Sequence, residues 1–175
     1  TESCYHLGTY LIAKNYQKIV TATSFYDSGY GMLAAIEYAF KENPIFSGHY
    51  ITPFVPRENE SAYMDEFINS HDPDAVFAFY SGLYAEENAD FTNQNKVTKK
   101  YPFYVTPFFI NNKILEEFRI EPHELYVVSS WMQNDSNSAY FTDEYKSKYS
   151  DAPSVFSILG YENGLIIKTI LRNTG

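Results

Sequence analysis

The chain has 175 residues, 45% of them hydrophobic, with 13 Lys and Arg against 22 Asp and Glu and a formal net charge of −9. That length suffices for one compact domain, or a domain with a dependent extension, and the apolar content excludes a disordered chain. The acidic balance and the lack of a clustered basic face exclude nucleic acid as a partner, and no apolar run approaches the roughly 20 residues that span a bilayer.

The aromatic content stands out, with 17 Tyr and 14 Phe against one Trp. Tyr pairs a large apolar body with a hydrogen-bonding tip, which suits half-buried strands and the walls of ligand clefts. Cys4 is the sole cysteine, so no internal disulfide forms; it falls inside an expected helix, where packing is its role. The chain opens on Thr1 with neither an initiator Met nor a leader pattern, so a processed or excised piece of a longer protein is expected.

In chain order, residues 3–14 read as a helix and the β-branched run Lys18–Thr23 as a buried strand, within 18–24. Asp27-Ser28-Gly29 reads as a turn with capping residues. Met32, Leu33, Ile36, Ala39 and Phe40 recur at helical spacing up to Asn43-Pro44. A second strand is expected over 48–54 and a helix over 61–70. The apolar run Ala75–Tyr80 is the strongest strand signal, the pattern of a central parallel strand covered on both faces. A polar helix over 84–95, a strand at 102–107, a helix at 112–119 and a strand at 125–130 complete a βαβ series. The predicted fold class is α/β, a doubly wound, mainly parallel sheet of about five strands with a C-terminal helical extension. In that extension Phe141, Tyr145 and Tyr149 line a helix over 138–149. The segment 153–172 reads as a helix apolar on nearly every side, which one copy of this chain is not expected to cover.

Catalytic signatures are absent: there is no phosphate-binding glycine loop, nucleophile elbow or zinc-binding His-Glu pair. His6, His49, His71 and His123 have no metal-ligand spacing, and His71 and His123 fall in predicted turns where a solvated role is expected. Neighbours on a helix diverge by about 100°, so Glu86-Glu87 and Glu116-Glu117 make no converging acid/base pair. Asp27, at the end of the first strand, reads as a helix cap. No cofactor and no metal is called. What remains is a set of polar and aromatic residues after the strand C-termini, the edge at which open parallel sheets bind ligands. Tyr26, Ser28 and Tyr30 follow the first strand, Ser81, Gly82 and Tyr84 the third, and Pro107 and Phe108 the fourth. The candidate ligand-binding set is Tyr26, Tyr30, Ser81, Tyr84 and Phe108.

Three stretches together resemble a known family. The run from Lys18 to Gly31, followed by an Ala-rich helix, is similar to type I periplasmic substrate-binding proteins, closest to the leucine/isoleucine/valine-binding receptors of ABC transporters. Pro73–Gly82 is similar to that branch's third strand and its Gly-containing ligand loop. Phe141-x-x-x-Tyr145, Pro153 and Gly160-Tyr161-Glu162 resemble its F-x-x-x-Y, P, G-Y-D segment.

The resemblance implies a non-catalytic, extracytoplasmic solute receptor, periplasmic or lipid-anchored at the outer face of the membrane. It would capture a small molecule (amino acid-like, aromatic or carboxylate) in a cleft between two lobes and hand it to ABC transporter membrane subunits. It also implies that 1–129 is the second lobe, and that 130–175 is the hinge return with helices of the first. Tyr30 then matches the family's Tyr-Gly after the first strand of that lobe, and Tyr84 the aromatic after its Gly-containing loop. A homodimer formed by exchange of the C-terminal helix is expected of the fragment alone. One other reading shares the fold, a ligand-sensing domain of a signalling receptor or regulator; another, of a different class, is a flavodoxin-like or hydrolase-like enzyme.

Overall fold

The computed structural model describes residues 2–25, 27–80, 100–107, 124–129 and 135–174. They divide into two compact units, Thr1–Val128 and Ser129–Gly175. The first is built on strands β1 (Ile19–Ser24), β2 (Phe46–Thr52), β3 (Ala75–Ala78), β4 (Phe103–Val105) and β5 (Leu125–Val127), with helices α1 (Glu2–Ala13), α2 (Asp27–Ala39) and α3 (Glu60–His71). The sheet order is β2-β1-β3-β4-β5, and every pairing is parallel.

Strand side chains alternate between two covered faces, which explains why β1 and β3 are apolar or small at every position. Val20, Ala22, Tyr50, Val76, Ala78, Tyr80, Phe103 and Val105 pack with Met64 and Ile68 of α3. Ile19, Ala75, Phe77, Phe79 and Tyr104 face the other way, against Cys4, Leu7 and Leu11 of α1 and Ile36 of α2. Helices α1 and α2 touch closely at Gly8, where a Cβ would lie 2.5 Å from the Ala39 Cβ. Cys4 is buried in this layer, as expected, and burial pushes its thiol pKa up.

Several boundaries differ from the sequence expectation. Asp27-Ser28-Gly29 is the first turn of α2 rather than a separate turn. The second strand is Phe46–Thr52 rather than 48–54, because Pro53 has no N–H to continue the ladder. At its start the register steps between Ile19↔Phe46 and Val20↔Gly48, a one-residue bulge. His71 closes α3 instead of lying in a solvated turn: its ring packs on Phe67 with centroids 4.3 Å apart, and its Nδ1 is 2.8 Å from the Phe67 carbonyl. The chain then turns through Asp72, whose left-handed backbone (φ 43°) lets its N–H donate to Asn69 O. The helices expected over 84–95 and 112–119 lie outside the described residues.

In the second unit, Asp135 caps a short 3₁₀ turn (Ser136–Ser138) by accepting from Asn137 N at 2.8 Å. Helix α4 (Ala139–Tyr149) follows and carries the expected aromatic stripe, with Phe141–Tyr145 and Tyr145–Tyr149 centroids 5.8 and 4.6 Å apart. After buried Pro153, helix α5 (Val155–Thr174) opens on a reciprocal Ser154/Ser157 cap. Phe141 meets Tyr161 at 4.8 Å, joining the two helices. Much of the apolar surface of α5 is exposed: Phe156 and Leu171 are each 67% exposed, and Leu159, Leu165, Ile166, Ile167 and Ile170 are exposed as well. None of the described helices is long and apolar enough to cross a membrane.

Candidate functional site

The C-terminal edge of the sheet is built on hydroxyl groups. Thr23 Oγ1 donates to Phe79 O at 3.1 Å, Thr106 Oγ1 donates to Tyr80 O at 3.0 Å, and the Thr52 and Tyr80 hydroxyls share a hydrogen bond of 2.7 Å. Thr23, Thr52, Tyr80 and Thr106, and Ser24 with them, are buried. Thr23 thus ties the end of β1 to β3 and Thr106 the end of β4 to β3, while the Thr52–Tyr80 bond reaches past β1 to join the ends of β2 and β3. Gly29 extends the arrangement to α2: a Cβ there would run into Thr23 Oγ1 and come within 2.9 Å of Ser24 O. Only glycine lets the first turn of α2 sit directly on the end of β1.

Above this buried belt stands an apolar rim. Phe25 follows β1, and its N–H donates to Thr52 O at 2.8 Å, so it leaves the sheet beside the end of β2. Its ring meets Tyr30 edge to face at 5.9 Å, and the two are 54% and 40% exposed. Past β2, Phe54 and Val55 are 67% and 75% exposed. Behind them Arg57 Nε and Nη2 donate to the two Glu60 carboxylate oxygens, each at 2.9 Å, and Nη2 also reaches Tyr50 Oη at 2.9 Å. Tyr50, rooted in the core, donates in turn to Glu60. These bonds, Arg57's first, hold the Glu60 carboxyl down at about 2, so it is ionised at every working pH. Burial and the Glu60 contact push the Tyr50 phenol well above its usual range.

Of the five residues expected to bind ligand, only Tyr30 lies within the described residues, and it stands on this edge. Tyr26, Ser81, Tyr84 and Phe108 lie outside them. Phe25, Phe54 and Val55 were not singled out from the sequence. The expected strand over 48–54 absorbed Phe54 into the sheet, although Pro-Phe-Val-Pro directly after a strand marks a stiff apolar turn. Arg57-x-x-Glu60 is the other missed signal, the spacing of a helix-start carboxylate that reaches back to the chain ahead of it.

Among the described residues, no three His, Cys, Asp or Glu side chains gather as a metal site. Within the second unit, a groove of about 520 Å³ is lined by residues including Asp135, Phe141, Ile158, Tyr161 and Glu162.

No protein-family model and no curated protein sequence matches the chain. Solved structures do. A solute-binding protein of an ABC transporter from R. palustris, in complex with benzoate, superposes with a TM-score of 0.72 at 20% identity, over 94% of this chain and 45% of that one. A leucine-binding protein from Thermotoga maritima MSB8 gives 0.71 at 13% identity, over 98% and 49%. A solute-binding protein from Rhodopseudomonas palustris BisB5, in complex with 3,4-dihydroxybenzoic acid, gives 0.70 at 15% identity, over 98% and 48%. The chain spans about half the length of these proteins. In fold the chain resembles one lobe of these type I periplasmic-binding proteins, among them the leucine-binding type.

Proposed function

We propose that this chain is the ligand-binding second lobe, residues 1–129, of a two-lobed extracytoplasmic solute receptor, with 130–175 returning to the first lobe. The receptor captures a small molecule between its lobes, without catalysis, and passes it to the membrane subunits of an ABC transporter. The observation that carries the reading is the exposed Phe25, Tyr30 and Phe54 at the C-terminal edge of an all-parallel sheet. That edge is where open α/β sheets take their ligands. The solved structures of the same fold that hold benzoate and 3,4-dihydroxybenzoic acid support it.

The apolar length of α5 supports the two-lobe arrangement. An isolated amphipathic or apolar helix owes its stability to packing rather than propensity, and α5 presents its apolar side chains to solvent. The remainder of a first lobe is the cover this reading assigns to them. Native mass spectrometry of the two-lobed protein, purified without denaturation, tests the function. A retained small molecule that is released on unfolding is the expected result. A protein that carries none, and whose melting temperature no solute raises, overturns the reading.

A further inference from the structure

The turn between β2 and α3 is stiff, stapled at both ends and apolar at its tip. Pro53 and Pro56 flank Phe54 and Val55, and each proline locks its own φ and offers no N–H. On the sheet side, Tyr50 is buried in the core and holds Arg57 and Glu60 through its hydroxyl. On the helix side, Arg57 N donates to Glu60 Oε2 at 3.0 Å while Glu60 N donates to Arg57 O at 3.0 Å. The Arg57 guanidinium also lies 4.1 Å from the centre of the Tyr63 ring. A turn held this firmly has little freedom to tuck Phe54 and Val55 away from water.

Exposing a Phe and a Val gives up apolar burial, at about 25 cal/mol per Å², and the free protein gets nothing back for it. The same two side chains follow β2 next to the point where Phe25 leaves β1, and Phe25 in turn carries Tyr30. All four are exposed at the C-terminal end of neighbouring strands β1 and β2, three of them aromatic, and Arg57 and Glu60 neutralise each other. Such a surface offers ring faces and edges on which a flat aromatic body can stack. Because it is already rigid, contact with it costs little ordering.

We propose that Phe54 and Val55, set in place by Arg57, Glu60 and Tyr50, are specificity determinants that select a ligand with a flat aromatic body over an aliphatic amino acid. This rests on the solute-receptor reading. Phe54 and Val55 touch the ligand in it, whereas Arg57, Glu60 and Tyr50 act as positioning residues.

The test is calorimetric titration of the two-lobed protein with benzoate and with leucine. Benzoate is expected to bind at least about tenfold more tightly, as an aromatic surface requires. Phe54→Ala should weaken benzoate binding about two- to tenfold and leave the ligand-free melting temperature nearly unchanged. Glu60→Gln should lower both the melting temperature and the benzoate-to-leucine ratio; a purely structural role would move only the former. Leucine binding as tightly as benzoate overturns the proposal and leaves the receptor reading standing. So does a Phe54→Ala variant with full benzoate affinity, which would make the turn a docking point for another chain. Should neither probe bind, the mass of the retained solute decides: one with an aromatic ring supports the proposal and one without overturns it. No retained solute at all removes the receptor reading itself.

Discussion

His49 shows what a single side chain in the sheet does to stability. It sits on β2 opposite Thr21 of β1, shares a 2.6 Å hydrogen bond with the Thr21 hydroxyl through Nδ1, and stacks on Phe79 at 6.0 Å. Its Nε2 is buried with no partner among the described residues. Burial, the larger effect, pulls its pKa from 6.5 down to about 4. The unfolded chain therefore binds this proton at a higher pH than the folded one. The stability tied to neutral His49 is complete above about pH 6.5 and is lost as pH falls through about 4. Since the ring is only partly buried, solvent screening reduces the effect to on the order of 1–2 kcal/mol. Chemical denaturation at pH 7 and pH 4.5 should show the native chain losing that much more than His49→Gln. Equal losses in the two proteins would mean that the ring is hydrated.

At the scale of elements, α5 is out of balance with its surroundings. Along it Phe156, Leu159, Leu165, Ile166, Ile167, Ile170 and Leu171 are all exposed. Leaving that surface in water forgoes several kcal/mol at about 25 cal/mol per Å², against a typical total of about 5–15 kcal/mol for a domain. The 175-residue chain alone is therefore expected to self-associate through α5, and exchange of the helix between copies is a low-cost way to do so. Light scattering in dilute solution should report a dimer or larger. Ile167→Glu with Leu171→Lys should return it to a monomer without changing the helical circular dichroism of the rest. A native chain that stays monomeric at tens of micromolar would show that α5 is covered within one copy. On the two-lobe reading the dimer is a product of isolation, because the first lobe occupies the same face.

For the whole molecule, the arrangement sets how much one lobe does alone. On the two-lobe reading a hinge-closing receptor surrounds its ligand from two sides, and the exposed Phe25, Tyr30, Phe54 and Val55 would supply only one of them. Pockets that hold small molecules well bury most of the ligand surface. The 175-residue chain is accordingly expected to bind benzoate at least about a hundredfold more weakly than the two-lobed protein, or roughly 2.7 kcal/mol. Titrating both proteins under the same conditions measures the difference. Comparable affinities would place the complete site inside one lobe and remove the need for closure.

The strand signals and their order were legible in the sequence by itself. A run such as Ala75–Tyr80 is apolar at every position only when both faces of a strand are covered, and such runs alternating with helical periods leave a doubly wound parallel sheet as the economical fold. The apolar character of 155–171 was legible for the same reason, since periodicity reports burial without naming the neighbour that provides it. That Tyr30 falls at the C-terminal edge of the sheet was legible because the start of a helix that directly follows a parallel strand lies there. The tertiary structure decided the rest. Whether Asp27-Ser28-Gly29 forms a turn or opens a helix depends on the space that Gly29 leaves against Thr23 and Ser24. The Thr52–Tyr80 bond and the Tyr50 hydroxyl's hold on Arg57 and Glu60 join residues brought together by strand order and turn closure, so no local pattern announces them, whereas the Arg57-x-x-Glu60 pair itself is a local spacing. Nor does composition show that Phe54 and Val55 face water: an apolar pair after a strand reads as core until the backbone reveals that Pro53 has ended the ladder and turned the chain outward.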